Sequence, residues 1–217
     1  GKPIGRRTRL QIAKDAIIEL LNQVDGVRFG LMVFNQAPDD SSILTSVGTQ
    51  GGRMLSAVQE LTPAVRSTLI NTVENITWET SNAQTPLTET LYEAYLYFGG
   101  VEPHFGALLT PAKGGGVVSE PQDPMATSSG KYVSPIESEA AACQRNNIVY
   151  VSDGAPEYDV AANFNILALP ATGNASMIIT QILNGASPFG PPDSANDEAV
   201  WLDELAQYMS KADVNAC

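Results

Sequence analysis

The chain has 217 residues, of which 43% are hydrophobic and 17% charged, so it is globular rather than disordered. Its net charge of −12 and its pI of about 4.4 argue against nucleic acid or an anionic membrane surface as a partner. No run reaches the roughly 18 apolar residues that a membrane span needs, so none is predicted. Residues 1–16 carry several basic side chains but no apolar core, so they do not form a signal peptide.

The first third of the chain alternates helix and strand signals. Apolar residues recur at three- and four-residue intervals over residues 9–24, which predicts an amphipathic helix. The apolar run Val27–Phe34 predicts a well-buried strand. Ile43–Val47 predicts a short edge strand, and Arg53–Val58 favours strand over helix. A helix directly followed by a buried strand is typical of the α/β class.

Two Thr-Pro pairs mark helix starts. Thr62 is a candidate N-cap with Pro63 at the first helical position. In Thr85-Pro-Leu87 the same signal opens a helix that runs to about Phe98, with Thr85 or Thr88 as its cap. Because Pro86 disfavours the helical region for the residue before it, the Thr85 side chain is assigned to the loop.

Irregular stretches separate the remaining elements of what we interpret as a single domain over residues 1–217. Residues 99–142 and 185–195 are rich in Gly, Pro and Ser and predict insertions with little regular structure. The only histidine, His104, lies in the first of them and is interpreted as a surface residue. Phe164–Leu169 predicts a strand or a packed loop. Helices are predicted over Asn174–Asn184 and residues 196–212.

The stretch Asn147-Ile-Val-Tyr-Val-Ser-Asp-Gly154 organises the predicted fold. Ile148–Val151 is apolar without alternation, which is typical of a strand buried on both faces of a parallel sheet. The fold class predicted is therefore α/β, with a doubly wound, mostly parallel sheet and long loop insertions. Asp153 then lies at the carboxyl edge of the sheet, where ligands bind. An aspartate that caps the next turn beside Gly154 is an equally good interpretation.

Thr85 and Asp153 together make half of a cation site. A hydroxyl and a carboxylate are hard oxygen ligands suited to Mg²⁺, Mn²⁺ or Ca²⁺. No nucleophile–base pair, P-loop, dinucleotide fingerprint or histidine metal motif occurs in the sequence, so nothing argues for an enzyme. The alternative that stays open is a metal-dependent α/β phosphohydrolase that uses Asp153. It needs a second acidic cluster, for which Asp39-Asp40 and Asp197-Glu198 are available.

These two motifs resemble the von Willebrand factor A domain, whose metal-ion-dependent adhesion site combines a D-x-S-x-S loop, a later Thr and a later Asp. Thr85 matches the family's Thr, and Asp153 matches its second Asp. Four stretches, two of which contain these motifs, are similar to the A-type domain of the PilY1 family, and the similarity spans about residues 6–213. They are Arg28–Phe34, Thr85–Tyr95, Cys143–Ile148 leading into Ser152-Asp-Gly154, and Trp201–Met209.

The PilY1 resemblance implies an exported adhesin and assembly factor at the tip of a type IV pilus, reached through the periplasm. It implies minor pilins or the pilus tip, a host or abiotic surface, and the rest of the same polypeptide as partners. No D-x-S-x-S occurs in the 217 residues, so the family's first and last strands are expected outside them, in a longer protein. A domain that keeps this fold but binds no metal is also an open interpretation.

The two cysteines, Cys143 and Cys217, are not in a CxxC pair and have no neighbouring histidine, so a zinc site is not predicted. Two free thiols and one disulfide are both open from the residues alone. A disulfide would close a long loop and would contribute roughly 4 kcal/mol. The export that the resemblance implies favours the Cys143–Cys217 disulfide.

Overall fold

A computed structural model describes residues 7–35, 51–76, 85–106, 122–136, 145–152, 159, 162–169 and 202–211. The longer elements are α1 (Arg9–Gln23), β1 (Arg28–Phe34), β2 (Gly52–Glu60), α2 (Pro63–Asn75) and α3 (Leu87–Gly99). A 3₁₀ turn (Pro124–Ala126), the short strands β3 (Thr127–Ser128) and β4 (Lys131–Tyr132), α4 (Asn163–Leu167) and α5 (Leu202–Lys211) complete the described part. None of the helices within these ranges is long and apolar enough to cross a membrane.

Local sequence signals account for the first two helices. The Thr8 hydroxyl accepts a hydrogen bond from the Gln11 amide and caps α1, and Thr62 caps α2 through the Val65 amide. Pro63 occupies the first turn of α2, where its missing N–H leaves no intrahelical bond unmade. The predicted helices over 9–24 and from Thr62-Pro63 are confirmed, with Leu21, Leu69 and Val73 buried.

The main sheet is a two-stranded antiparallel pair. Arg28 lies opposite Glu60 and Phe34 opposite Gly52, and the register shifts around Leu31. The strands predicted over Val27–Phe34 and Arg53–Val58 are therefore confirmed as strands. The prediction that Val27–Phe34 is well buried is wrong. Every residue of β1 is only half-buried, whereas β2 is covered by α3 and by the 3₁₀ turn. The inner face of β2 is what positions α3.

Helix α3 lies at the centre of the packing. Nine of its thirteen residues are buried, including Thr88, Glu89 and Glu93. Leu91 faces a cluster formed with Phe105, α4 and α5, and Leu96 and Tyr97 face a second cluster with β2 and β4. The predicted helix up to Phe98 is confirmed. It ends at Gly100, which adopts a left-handed conformation.

The predicted doubly wound, mostly parallel sheet is wrong. The described residues contain two small sheets, β1–β2 and β3–β4, and both are antiparallel. Residues 145–152 lie outside any helix or strand, so the run Ile148–Val151 is not a buried central strand. An apolar, β-branched run favours a strand but does not show that a neighbouring strand is present, and no strand in the described residues pairs with Ile148–Val151.

The loop-rich half of the chain contains more structure than its composition predicts. Part of residues 99–142 forms the 3₁₀ turn and the β3–β4 hairpin, whose turn uses Ser129 and Gly130 at positive φ. His104, which was interpreted as a surface residue, is half-buried, and its Nε2 lies 3.1 Å from Asn165 Nδ2. Asn163–Leu167 is a short helix, which corrects the expectation of a strand or loop over 164–169. Four predicted features lie outside the described residues: the edge strand Ile43–Val47, the helix Asn174–Asn184, the loop 185–195 and the first residues of the last helix.

Among the described glycines with a positive φ, Gly51 has the least room for a side chain. Its φ is +73°, and a Cβ there would lie 2.5 Å from Phe105 Cβ. Gly26 has a similar φ of +67° with nothing within 4 Å. We expect Gly51→Ala to lower the unfolding free energy by about 2–3 kcal/mol, since overpacking adds to the strain of a positive φ. The matched Gly26→Ala should cost about 1 kcal/mol in the same urea titration, and equal losses would contradict the packing argument.

Candidate functional site

The first turn of α3 begins with a loop residue and a proline. Pro86 occupies the N-cap position with no side-chain cap bond of its own, and Thr85 forms an isolated β-bridge just before it. The Thr85 carbonyl accepts a hydrogen bond from the Leu87 amide. Neither Thr85 nor Thr88 caps the helix through its hydroxyl in the predicted way, so the backbone donors of this turn need another acceptor.

Asp159 provides that acceptor from a distant part of the chain. Its carboxylate accepts hydrogen bonds from the Thr88 amide (2.8 Å), the Thr88 hydroxyl (2.7 Å) and the Glu89 amide (3.2 Å), and Asp159 is fully buried. A negative charge is favourable at a helix N-terminus because the free N–H groups point at it. Asp159 was not predicted as a cap from the sequence, since an acceptor 71 positions away leaves no local signal.

Tyr150 connects the segment before Asp153 to the same turn. Its hydroxyl donates a hydrogen bond to the Leu87 carbonyl at 2.9 Å, and its ring packs against the cluster around Leu91. Burial raises the pKa of the Tyr150 hydroxyl, and the carboxylates of Asp159 and Glu89 raise it further. Tyr150 therefore stays a neutral donor and holds residues 145–152 against the start of α3.

The structure describes only one of the two predicted cation ligands. Thr85 is half-buried at the start of α3, while Asp153 lies outside the described residues. Asp153 follows Tyr150 by three residues, a span of at most about 11 Å of extended backbone. Tyr150 in turn contacts Leu87, two residues after Thr85. Both predicted ligands therefore belong to segments that meet at this turn, and their convergence on one point stays a prediction.

Other predicted site features fall outside what the structure describes. Cys143 and Cys217, and the acidic pairs Asp39-Asp40 and Asp197-Glu198, lie in residues that are not described, so the disulfide stays a prediction. In the described ranges, no group of three or more His, Cys, Asp or Glu side chains is arranged to hold a metal ion.

A second buried carboxylate lies two turns along α3. Glu93 accepts hydrogen bonds from the backbone amides of His104 (3.1 Å) and Phe105 (2.7 Å) and from the Tyr132 hydroxyl (2.6 Å). Burial raises the pKa of Glu93, and these bonds oppose the rise. Burial and the neighbouring Glu93 also raise the pKa of Tyr132. This carboxylate joins three separate segments and has no exposed oxygen, so its arrangement suits a structural role.

No family model matches the chain, and neither the curated proteins nor the solved structures contain a match. The features that indicate a function are therefore the sequence motifs and the geometry around α3.

Proposed function

We propose that the chain is a non-catalytic binding module of an exported, PilY1-like protein at the tip of a type IV pilus. In this proposal it attaches the pilus to a host or abiotic surface and contributes to pilus assembly with minor pilins and the rest of its own polypeptide. A divalent cation, Mg²⁺, Mn²⁺ or Ca²⁺, is held by Thr85 and Asp153. The proposal rests on the order of the PilY1-like motifs and not on a parallel sheet.

The observation that carries the cation site is the hydrogen bond from Tyr150 to the Leu87 carbonyl. It joins the segment that ends in Ser152-Asp153 to the turn that begins with Thr85. Asp159 accepts hydrogen bonds from the amides of Thr88 and Glu89, so α3 is capped without Asp153. The capping interpretation of Asp153 concerns the turn beside Gly154, which lies outside the described residues.

Thr85 fits the role of a hard ligand. Its side chain precedes the helix, is half-buried, and makes no hydrogen bond to another residue in the described part of the chain. A hydroxyl in this position can bind a cation directly or through water, and the acid supplies the charge. When bound, the cation would supply an open coordination position for a carboxylate of the partner.

The binding interpretation is preferred over the phosphohydrolase. A hydrolase needs a second acidic cluster at the site and a basic group for the phosphate. The acids at the start of α3 in the described residues are Glu89 and Asp159, and both are fully buried inside the helix packing rather than presented to a substrate. No observation favours the catalytic alternative.

Calorimetric titration of Mg²⁺, Mn²⁺ and Ca²⁺ tests the cation site. We expect Asp153→Ala and Thr85→Val to weaken binding of at least one of these ions by about tenfold or more, since each removes one of few ligands. Asp25→Ala is the matched control, because Asp25 is an exposed acid whose ion-pair partner in the described part of the chain is Arg66. Equal affinities in the wild type, Asp153→Ala and Asp25→Ala would refute the site.

A further inference from the structure

The segment of residues 145–152 exposes apolar side chains in an otherwise polar setting. Val149 is 76% exposed, Val151 50% and Ile148 42%, and the flanking residues 145–147 and 152 are exposed as well. Tyr150 alone points into the core. Three neighbouring β-branched residues exposed together are a surface that a partner can cover.

The same segment has strand-forming residues but no neighbouring strand. Ile, Val and Tyr favour β-structure, yet residues 145–152 belong to no ladder. Within the described ranges, no backbone hydrogen bond reaches residues 147–151. Tyr150 anchors the middle of the segment through Leu87. Tyr150 thus holds the segment in place, while the backbone groups of residues 147–151 bond to no residue in the described part of the chain, which is the requirement for β-strand addition.

The charge of the segment indicates what kind of strand it binds. Arg145 is the one charged residue in 145–152, in a chain of net charge −12. A strand that pairs here and carries a carboxylate next to its apolar centre meets Arg145 at one end. A second copy of the chain is a poorer occupant, because each copy brings the same large negative charge.

We propose that residues 145–152 are a docking site for an extended strand of a partner polypeptide, apolar at its centre and acidic at the end that lies beside Arg145. Main-chain bonds to residues 147–151 provide the affinity, Ile148, Val149 and Val151 cover the apolar centre, and Arg145 selects the acidic flank. This inference goes beyond the cation site and does not require a bound cation.

The test uses a nine-residue peptide of alternating valine and threonine with a glutamate at each end, so that one glutamate lies beside Arg145 in either strand direction. Two control peptides carry lysine at both ends or proline at the centre. Binding is measured by fluorescence anisotropy and by amide hydrogen exchange, with EDTA present so that the cation site has no influence. We expect exchange in residues 147–151 to be fast in the free chain and to slow at least about tenfold with the glutamate peptide.

Charge reversal provides the sharpest comparison. Arg145→Glu should reverse the charge preference, so that the lysine peptide binds about tenfold more tightly than the glutamate peptide. Val149→Asp should abolish binding of both peptides. Ile12→Glu, at an exposed apolar position on α1, should leave binding unchanged. The proline peptide should not bind, because it cannot complete the backbone ladder.

Three results would overturn this proposal. One is slow exchange at residues 147–151 in the dilute free chain. Another is the same affinity for the glutamate, lysine and proline peptides. The third is protection that rises with protein concentration without peptide, which would identify a second copy as the occupant.

Discussion

Asp159→Ala is expected to lower the unfolding free energy by about 3–5 kcal/mol. The carboxylate accepts hydrogen bonds from two backbone amides and one hydroxyl at the start of α3, all of them buried. Removing it leaves three donors without an acceptor in a place that water does not reach, and each costs about 1–3 kcal/mol. Urea denaturation followed by circular dichroism measures the loss.

Two control variants distinguish the loss of the helix cap from a general effect of removing a carboxylate. Asp25→Ala removes an exposed carboxylate whose pair with Arg66 contributes less than about 1 kcal/mol. Asp159→Asn keeps the shape and one acceptor oxygen, so it should cost less than Asp159→Ala. A loss for Asp159→Ala no larger than for Asp25→Ala would mean that Asp159 does not cap α3.

Glu93→Ala is expected to have an effect of similar size, about 3–5 kcal/mol at pH 5. Glu93 is fully buried and accepts bonds from the His104 and Phe105 amides and from the Tyr132 hydroxyl. Without it, the turn at 104–106 and the β3–β4 hairpin lose their common connection to α3. The exposed Glu102→Ala is the control and should change stability by less than about 0.5 kcal/mol.

The pH dependence of this effect has a definite sign. Burial raises the pKa of Glu93 above its ordinary value of 4.5. A raised folded-state pKa gives stability that is fully present below about 4.5 and is lost as the pH rises through the folded-state value. The difference in unfolding free energy between the wild type and Glu93→Ala should therefore be larger at pH 4.5 than at pH 8. A difference that grows with pH would mean that the amide donors, rather than burial, control the pKa.

Short-range signals in the sequence predicted the elements that depend on them. Thr62 caps α2 three residues before the amide that it binds, and Pro63 and Pro86 lie at or just before a first turn. The apolar faces of α1 and α2 follow the helical period. Each of these features is determined by residues within one or two turns, so the sequence alone is sufficient.

Features set by long-range contacts could not be predicted. The cap on α3 comes from Asp159 and the bond to Leu87 from Tyr150, 71 and 63 positions away. The pairing of Ile148–Val151 was inferred from composition, which reports burial and β-propensity but not the presence of a neighbouring strand. The prediction of a parallel sheet was wrong for this reason. The turn at Thr85 does lie close to the segment before Asp153, because Tyr150 bonds to Leu87.

The position of a bound Mn²⁺ tests the proposed site most directly, because this paramagnetic ion broadens amide NMR signals in its neighbourhood. With substoichiometric Mn²⁺, the signals of Thr85 and Ser152 should broaden together in the wild-type chain and recover in Asp153→Ala, while those of the remote Gly26 stay sharp. Broadening of neither signal, or of only one of the two, would mean that Thr85 and Asp153 do not share a cation.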